Sequence, residues 1–389
     1  MKRFFSYSIL SFFLLLLPTG QASANNNDSI RLSLLTCAPG EEIYSLFGHT
    51  AIRYENSSQG IDVVFNYGLF SFNTPNFIFR FSLGETDYQL GATDYERFAA
   101  EYAFFGRSVW QQTLNLTDEE KTELIRLLQE NYRPENRVYR YNFFYDNCAT
   151  RPRDKIEESI AGKVIYPAEP QDGSLTFRDI VHQYCKGHPW ARFGIDLCIG
   201  SEADQPITQR QMMFAPFYLM DAFDGAQIKG DSIQRPLITA NELIVDATPE
   251  PDESDWMPTP LQCSLLLFIL TAAATIYGIR RRTGLWGIDL FLFGIAGIVG
   301  CVLAFLALFS QHPAVSSNFL LLVFHPGQLL FLPYIIYCVR KGKKCWYLTL
   351  NLAVLTLFIV LFPVIPQRFD FAVVPLALVL LIRSASNLI

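Results

Sequence analysis

The first two thirds of the chain lack any cluster of basic residues. In the whole sequence of 389 residues, Lys and Arg number 31 while Asp and Glu number 37, which gives a formal net charge of −6. Because proteins bind phosphate backbones through clustered Lys and Arg, this balance argues against nucleic acid as the main partner.

Charge is nearly absent after Leu261, apart from short clusters. Five apolar segments in this part are long enough, or nearly so, to cross the hydrocarbon core of a bilayer, which takes about 20 residues. They are Leu261–Ile279, Leu285–Phe309, Phe319–Val339, Cys345–Phe362 and Phe369–Ile382, of which the last is the shortest. The sequence therefore predicts an all-α bundle of five membrane spans.

The few charges of this membrane half indicate its orientation. Arg280–Arg282 lie between the first and second spans, and the basic residues of Arg340–Lys344 lie between the third and fourth. Basic loops stay in the cytoplasm, so the first span is expected to start on the exported side and the C-terminus to lie in the cytoplasm. Residues 25–260 are then exported, and the protein is expected in a bacterial inner membrane.

The N-terminus independently predicts export. Lys2 and Arg3 precede the apolar run SYSILSFFLLLLP, and Ala22–Ala24 fits a cleavage site, so residues 1–24 are typical of a signal peptide. An uncleaved anchor is the alternative. No cysteine follows the cleavage site, so the sequence does not predict that the protein is itself a lipoprotein.

Residues 25–245 have the patterns of an α+β domain. The segments RLSLLTC, HTAIRYE and IDVVFNYGLF have the pattern of strands, and Thr117 with Glu120 forms a capping-box signature before an apolar helical stripe. Residues 246–260 are rich in proline and acid and are expected to form a linker, with Trp256 as an interfacial anchor of the transmembrane domain 261–389.

Ionisable side chains in or near the spans are candidate functional groups. Asp289 is close to the cytoplasmic end of its span, so snorkelling to the interface explains it. His325 precedes Pro326 and either marks a kink or binds substrate. His312, in an outer loop, is the other candidate for binding substrate.

The segment FFYDNCATRPRDKIEESI places Cys148 at the start of a predicted helix, where Pro152 fits only the first turn. A helix N-terminus and the nearby Arg151 and Arg153 favour a thiolate, so we expect a lowered thiol pKa and a nucleophilic cysteine. Arg151 is also a candidate for binding substrate. The alternative is a buried, inert cysteine.

A thiol nucleophile needs a base, and the sequence offers five histidines. His49 is the candidate, since it opens a predicted strand directly after Gly48, which permits a close backbone approach. His182 and His188 instead lie beside Cys185 and Cys198 in a spacing that is not a standard zinc pattern.

In an exported domain a Cys185–Cys198 disulfide is the favoured interpretation of that pair, with zinc as the alternative. Cys37 is expected to be structural.

The strings LLTCAPGEEIYSLFGHTAIRY, FNYGLFSF, YRYNFFYDNCATRPRD and WARFGIDLCIG resemble the Lnb-type lipoprotein N-acyltransferase family of Bacteroidota. A histidine on an early strand is followed much later by a cysteine at the start of a helix. This order also resembles the circularly permuted papain-like folds, which include lecithin–retinol acyltransferase and NlpC-type peptidases. The membrane half resembles the family by layout more than by motif.

The resemblance implies an acyltransferase without a cofactor or metal. Cys148 would carry the acyl chain of a phospholipid as a thioester and pass it to the α-amine of a lipoprotein's diacylglyceryl-cysteine. His49 would be the base and Asn66 its orienting partner. The N–H of Cys148 would stabilise the oxyanion, with Tyr44 or Ser45 as a second donor.

Two other functions are compatible with the same residues. A membrane-tethered cysteine hydrolase would use the same Cys–His pair with water as acceptor, on lipid esters or cell-wall amides. A membrane scaffold would bind a partner through its exported domain and bury Cys148.

The predicted orientation can be tested with topology reporters. A reporter active only in the cytoplasm should be active when fused after Arg282 or after Lys344, and silent when fused at Asp255. Activity at Asp255, with silence at either basic loop, would reverse the orientation.

Overall fold

The computed structural model describes residues 29–71, 73, 75–167, 175–230, 234–247 and 257–388. The predicted signal peptide, most of the linker and Trp256 lie outside these ranges. The strands are β1 Ile30–Cys37, β2 His49–Asn56, β3 Ile61–Leu69, β4 Asp87–Asp94, β5 Val109–Leu114, β6 Val138–Arg140, β7 Lys163–Ile165, β8 Gln227–Lys229, β9 Gln234–Pro236 and β10 Ile238–Val245.

The helices of the first part are α1 Phe77–Leu83, α2 Tyr95–Phe104, α3 Asp118–Tyr132, α4 Thr150–Ser159, α5 Phe177–Tyr184, α6 Pro189–Cys198, α7 Gln209–Met212 and α8 Pro216–Asp224. The apolar part contains α9 Pro260–Arg281, α10 Trp286–Phe309, α11 Pro326–Leu330, α12 Leu332–Lys341, α13 Trp346–Leu361 and α14 Val373–Ser386. Short 3₁₀ turns occupy Ser201–Asp204 and Phe319–Leu322.

One antiparallel sheet of seven strands organises the first part, in the order β10-β5-β1-β2-β3-β4-β6, and β7-β8-β9 form a smaller sheet. Alternate residues of each strand enter different cores, as the two-residue period of a strand requires. Leu34 packs in the core that holds residues of α3, α4 and α8, while its neighbour Leu35 packs in the core that holds Phe98 of α2. The α+β prediction is confirmed, and so is the capping box of Thr117 and Glu120.

The helices of the apolar part lie where the five spans were predicted, but one predicted span is not a single helix. Among the described residues, α9 and α10 are each long and apolar enough to cross a membrane, and α13 and α14 are shorter apolar helices. The third predicted span, Phe319–Val339, is not one helix. It is bent by 73° between Leu330, which ends α11, and Leu332, which begins α12. A second interruption lies between the 3₁₀ turn and α11. Pro326 cannot donate an N–H, and it holds the preceding His325 extended, at φ −142° and ψ 153°.

Small residues on α10 accommodate this broken segment. A side chain at Gly297 would lie 2.5 Å from the backbone N of Leu329, and one at Gly300 would collide with the backbone of His325. Glycine at these positions lets two backbones approach closely, which is a common basis of helix packing in membranes.

The two ends of the helical bundle differ in what they contact. Segments 310–318 and 367–370 contact the α+β domain, for example through the bond from Gly200 N to Ala314 O (2.7 Å). The basic residues lie at the opposite ends of α9 and α12, where Arg340 stacks over the ring of Trp286 at 5.2 Å.

A buried arginine anchors the contact between the two halves. The Arg178 side chain is 0% exposed and bonds Asp196 (2.6 Å), Asp204 (2.9 Å) and the carbonyls of Ile199 and Gly200. Asp204 also accepts from Arg368 Nε at 2.9 Å. This network of ion pairs therefore continues from α5 to the segment before α14.

The structure corrects the interpretation of Asp289. Its carboxylate does not snorkel, because the side chain is 0% exposed and pairs with both Arg383 Nε (2.7 Å) and Nη2 (2.9 Å). Arg383 also donates to Thr275 Oγ1 at 3.1 Å, so the pair joins α10, α14 and α9. Sequence could not reveal the partner, which lies 94 residues away.

This ion pair yields a stability prediction. Arg383→Ala should lower the thermal midpoint of the detergent-solubilised protein markedly, because an uncompensated buried charge costs about 3–5 kcal/mol. The double variant Asp289→Asn, Arg383→Gln should recover most of the loss, since it removes both charges. Arg281→Ala, at the exposed end of α9, is the control and should change little. An Arg383→Ala protein as stable as the parent would contradict the pair's structural role.

Candidate active site

Asn147 shapes the backbone that presents Cys148. Its Oδ1 accepts from the N–H groups of Ala149 (2.8 Å) and Thr150 (3.0 Å), and its Nδ2 donates to Phe214 O at 2.9 Å. These bonds occupy N–H groups that a helix start leaves free. Cys148 thus lies one residue before the cap of α4, as the sequence predicted.

A glycine in β3 makes room for the cysteine. The register of β3 and β4 is irregular between Asn66 and Leu69, and Gly68 within this bulge has φ +89°. A side chain at Gly68 would lie 3.4 Å from Cys148 Cβ. The N-terminus of α4 therefore packs directly on the end of β3, two residues after Asn66.

His49 and Asn66 meet on neighbouring strands. His49 Nε2 lies 3.2 Å from Asn66 Oδ1, and Asn66 is buried. Because an amide oxygen only accepts, Nε2 carries the proton and Nδ1 is left as the basic nitrogen of a neutral ring. The strand start is fixed by Gly48, whose φ of +79° and 2.5 Å approach to Cys37 O exclude other residues.

The thiol of Cys148 lies close to this pair. It receives hydrogen bonds from the backbone N–H of Thr50, the residue after His49, and from the hydroxyl of Tyr141. The structure therefore brings together the three residues that the sequence predicted as catalytic. It adds Tyr141 and Thr50, which sequence reasoning missed, although Tyr141 is part of the quoted string YRYNFFYDNC.

The expected lowering of the thiol pKa is wrong. Burial raises the pKa of Cys148 to about 11, although hydrogen bonds from Thr50 N–H, its own N–H and Tyr141 offset part of the effect. The two arginines are occupied elsewhere. Arg151 pairs with Asp146 (2.6 Å) and covers the ring of Tyr139, and Arg153 pairs with Asp154. Arg151 is thus already neutralised and is not free to bind an anionic substrate group.

The pKa of His49 is shifted in the opposite direction. Burial lowers the pKa of His49 to about 4, the contact with Asn66 opposes the shift, and the charge of Arg107 adds to it. Since Cys148 titrates near 11 and His49 near 4, both groups are neutral at pH 7. The resting site is a thiol beside a neutral imidazole, not a thiolate–imidazolium pair.

The other residues predicted to bind substrate make separate contacts of their own. Ser45 Oγ donates to Glu42 O (2.9 Å) within its own loop, so it is not the second oxyanion donor. Tyr44 is exposed, with its ring 6.2 Å from that of Phe70. His312 Nε2 donates to Phe81 O (2.6 Å), and His325 contacts Asn351 Oδ1 at 3.4 Å inside the bundle.

The predicted disulfide is not formed. Cys185 and Cys198 are both free thiols. Cys185 follows α5 and is buried in an apolar cluster with Ile180 and Val181, whereas Cys198 ends α6, where its carbonyl faces Asn318. His182 binds the Asp196 carboxylate at 2.9 Å. Cys37 is buried, and burial raises its pKa to about 12, consistent with the structural role expected for it.

Two family models match the chain. Residues 20–182 match the Lnb N-terminal periplasmic domain, and residues 252–389 match the Lnb transmembrane domain. No curated protein and no solved structure matches. The two matches confirm the resemblance seen in the sequence motifs. The first match ends within α5, although the sheet extends to β10.

The protonation state of the resting site predicts how the thiol reacts with iodoacetamide. The rate of Cys148 alkylation should be low at pH 7 and rise about tenfold per pH unit up to pH 10, because only the thiolate reacts and its pKa is near 11. Mass analysis of the peptide containing DNCATR reports this site alone. His49→Ala should keep the same slope. A rate that is already high and flat from pH 5 to pH 8 would show a preformed ion pair.

Proposed function

Starting from the Lnb family, to which this chain belongs, we propose that it transfers an acyl chain from a phospholipid to the α-amine of lipoproteins through a thioester on Cys148. The family's two domains make this an inner-membrane protein with a periplasmic domain, and membership indicates a membrane enzyme that modifies lipoproteins. The donor, the acceptor and the chemistry are our proposal. The observation that carries it is that the Cys148 thiol lies against the backbone of Thr50, the residue after His49, while His49 Nε2 faces Asn66.

In the first step the Cys148 sulfur attacks the ester carbonyl of the phospholipid. His49 Nδ1 accepts the thiol proton as the S–C bond forms, so no free thiolate is needed beforehand. Asn66 then faces the N–H of an imidazolium and stabilises its orientation. The C–O bond of the ester breaks, and His49 returns the proton to the departing alkoxide of the lysophospholipid.

In the second step the α-amine of the diacylglyceryl-cysteine attacks the thioester carbonyl. His49 accepts a proton from the amine, the C–S bond breaks, and the sulfur leaves and regains its proton. The oxyanion of each step needs donors held in place beforehand. The N–H of Cys148 and the hydroxyl of Tyr141 are the proposed donors, since both are neighbours of the sulfur that lower the pKa of the thiol.

The finer features of the fold belong to the same proposal. The order of β2 with His49, β3 with Asn66 and α4 with Cys148 supports a circularly permuted papain-like domain. The broken segment from Phe319 to Lys341 supports a third crossing, and we propose that the shorter apolar helices α13 and α14 are two more, which would put the C-terminus in the cytoplasm. Contacts of segments 310–318 and 367–370 with the periplasmic domain agree with that orientation.

The thioester gives the direct test. Phospholipid without acceptor should leave an acyl group on the peptide containing DNCATR, released by neutral hydroxylamine, and a diacylglyceryl-cysteine peptide with a free amine should discharge it. Cys148→Ala should abolish the adduct, and His49→Ala should slow its formation by about 10²–10⁴-fold, the usual worth of a general base. Asn66→Ala should cause a partial loss.

Cys198→Ala and His188→Ala are matched controls that should retain activity. A thioester that turns over equally fast with an N-blocked peptide would exclude the transferase and favour the hydrolase, with free fatty acid as the product. Full activity in Cys148→Ala would exclude both.

A further inference from the structure

Helix α1 exposes an apolar face beside the active site. In the sequence FIFRFSL, Ile78 is 80% exposed, Phe79 58% and Phe81 46%, and none of the helix residues is buried. Contiguous exposed apolar surface of this kind marks a site of interaction with another protein or a membrane. The charge of Arg80 is neutralised by Asp87 at 2.6 Å and is further satisfied by Glu85 O at 3.0 Å.

The position of α1 indicates that the partner is the membrane. The ring of Phe79 lies 6.0 Å from that of Phe305, near the end of the transmembrane helix α10. The residues that follow α10 hold α1 in this position. Gln311 N donates to Leu83 O at 2.8 Å, and His312 Nε2 lies 2.6 Å from Phe81 O. Burial lowers the pKa of His312, which keeps it neutral at this contact. Helix α1 is therefore held where α10 leaves the bilayer.

A line of aromatic rings runs from α1 to the thiol. Phe81 and Phe77 stack at 6.0 Å, and Phe77 stacks on Phe70 at 5.8 Å. Phe70 lies 5.0 Å from Tyr88, which stacks on Tyr141 at 4.2 Å. Tyr141 in turn donates a hydrogen bond to Cys148. The rings thus form a continuous line of contacts from α1 to the Cys148 thiol.

We propose that α1 inserts into the periplasmic leaflet of the bilayer and that the acyl chain of the phospholipid donor lies along this line of rings. The proposal rests on the proposed function for the identity of the donor. An acyl ester has to leave the hydrocarbon layer to reach Cys148, and continuous aromatic contact avoids exposing the chain to water on the way. The ester then meets the sulfur at the end of the path, beside the hydroxyl of Tyr141.

Photo-crosslinking tests the insertion directly and without catalysis. With p-benzoylphenylalanine in place of Ile78, the full-length protein in vesicles of phosphatidylethanolamine and phosphatidylglycerol should crosslink to phospholipid. The same group in place of Ile165 should not. Ile165 is 40% exposed in the small sheet, whose strand β9 lies beside the Leu114 end of β5, away from His49. Crosslinks from position 78 to protein alone would overturn the proposal.

Kinetic measurements test whether α1 docks the protein on the membrane. Ile78→Glu should slow thioester formation from vesicle phospholipid at least tenfold, chiefly through the apparent KM, and should leave formation from a water-soluble short-chain ester unchanged. Ile165→Glu should behave like the parent with both donors. Equal losses with both donors, or none with either, would contradict membrane docking by α1.

The Phe70→Ala variant tests the line of aromatic rings independently of helix α1. It should impair long-chain donors by at least tenfold and spare the short-chain ester, since only a long chain reaches that ring. Uniform sensitivity to chain length would overturn the path. If the parent protein forms no thioester from any donor, the proposed function fails, and the lipid crosslink at position 78 still decides whether α1 is inserted.

Discussion

A single buried guanidinium fixes the contact between the α+β domain and the helical bundle. Arg178 has two carboxylates and two carbonyls around it and no exposure to water, so any displacement of Asp196 or Asp204 would leave charge buried and unpaired. Such a loss costs several kcal/mol. Segment 199–204 is therefore confined to one arrangement, and it is this segment that bonds Ala314, Ser317 and Arg368 of the membrane half. The distance between Cys148 and the bilayer follows from that confinement.

For the proposed reaction, the Cys148 thiol has to stay unreactive until the substrate arrives. Burial keeps the Cys148 thiol and the His49 ring neutral, so the resting sulfur is a poor target for oxidants and alkylating agents. Proton transfer then accompanies attack on the bound ester. The same exclusion of water protects a thioester from hydrolysis, which an amine acceptor requires and a hydrolase does not.

Most of the predictions that agree with the structure came from patterns of residues close in sequence. The capping box of α3, the helix start after Cys148 and the strand positions of His49 and Asn66 all follow from residues close in sequence. What was missed depends on the pairing and burial of side chains, which the sequence pattern does not show. Asp146 neutralises Arg151, burial reverses the expected thiol pKa, and Arg383 explains Asp289. The interruption at His325 was visible in the following proline, but the sequence analysis did not predict the 73° bend between Leu330 and Leu332.

The Asp289–Arg383 pair also bears on how the bundle is made. Asp289 enters the membrane with α10 while Arg383, 94 residues later, has not yet been synthesised. An unpaired carboxylate within a span costs about 2.5–3.5 kcal/mol on insertion scales. Helix α14 has 14 residues, about 21 Å, and is too short to be inserted firmly by its own apolar length. Helix α14 is thus a poor membrane segment alone, and the carboxylate of Asp289 stays unpaired, until the two helices meet. Biosynthesis of the bundle is consequently completed by a late, long-range pairing, and a nascent chain that stops before α14 has the whole α+β domain but an unfinished anchor.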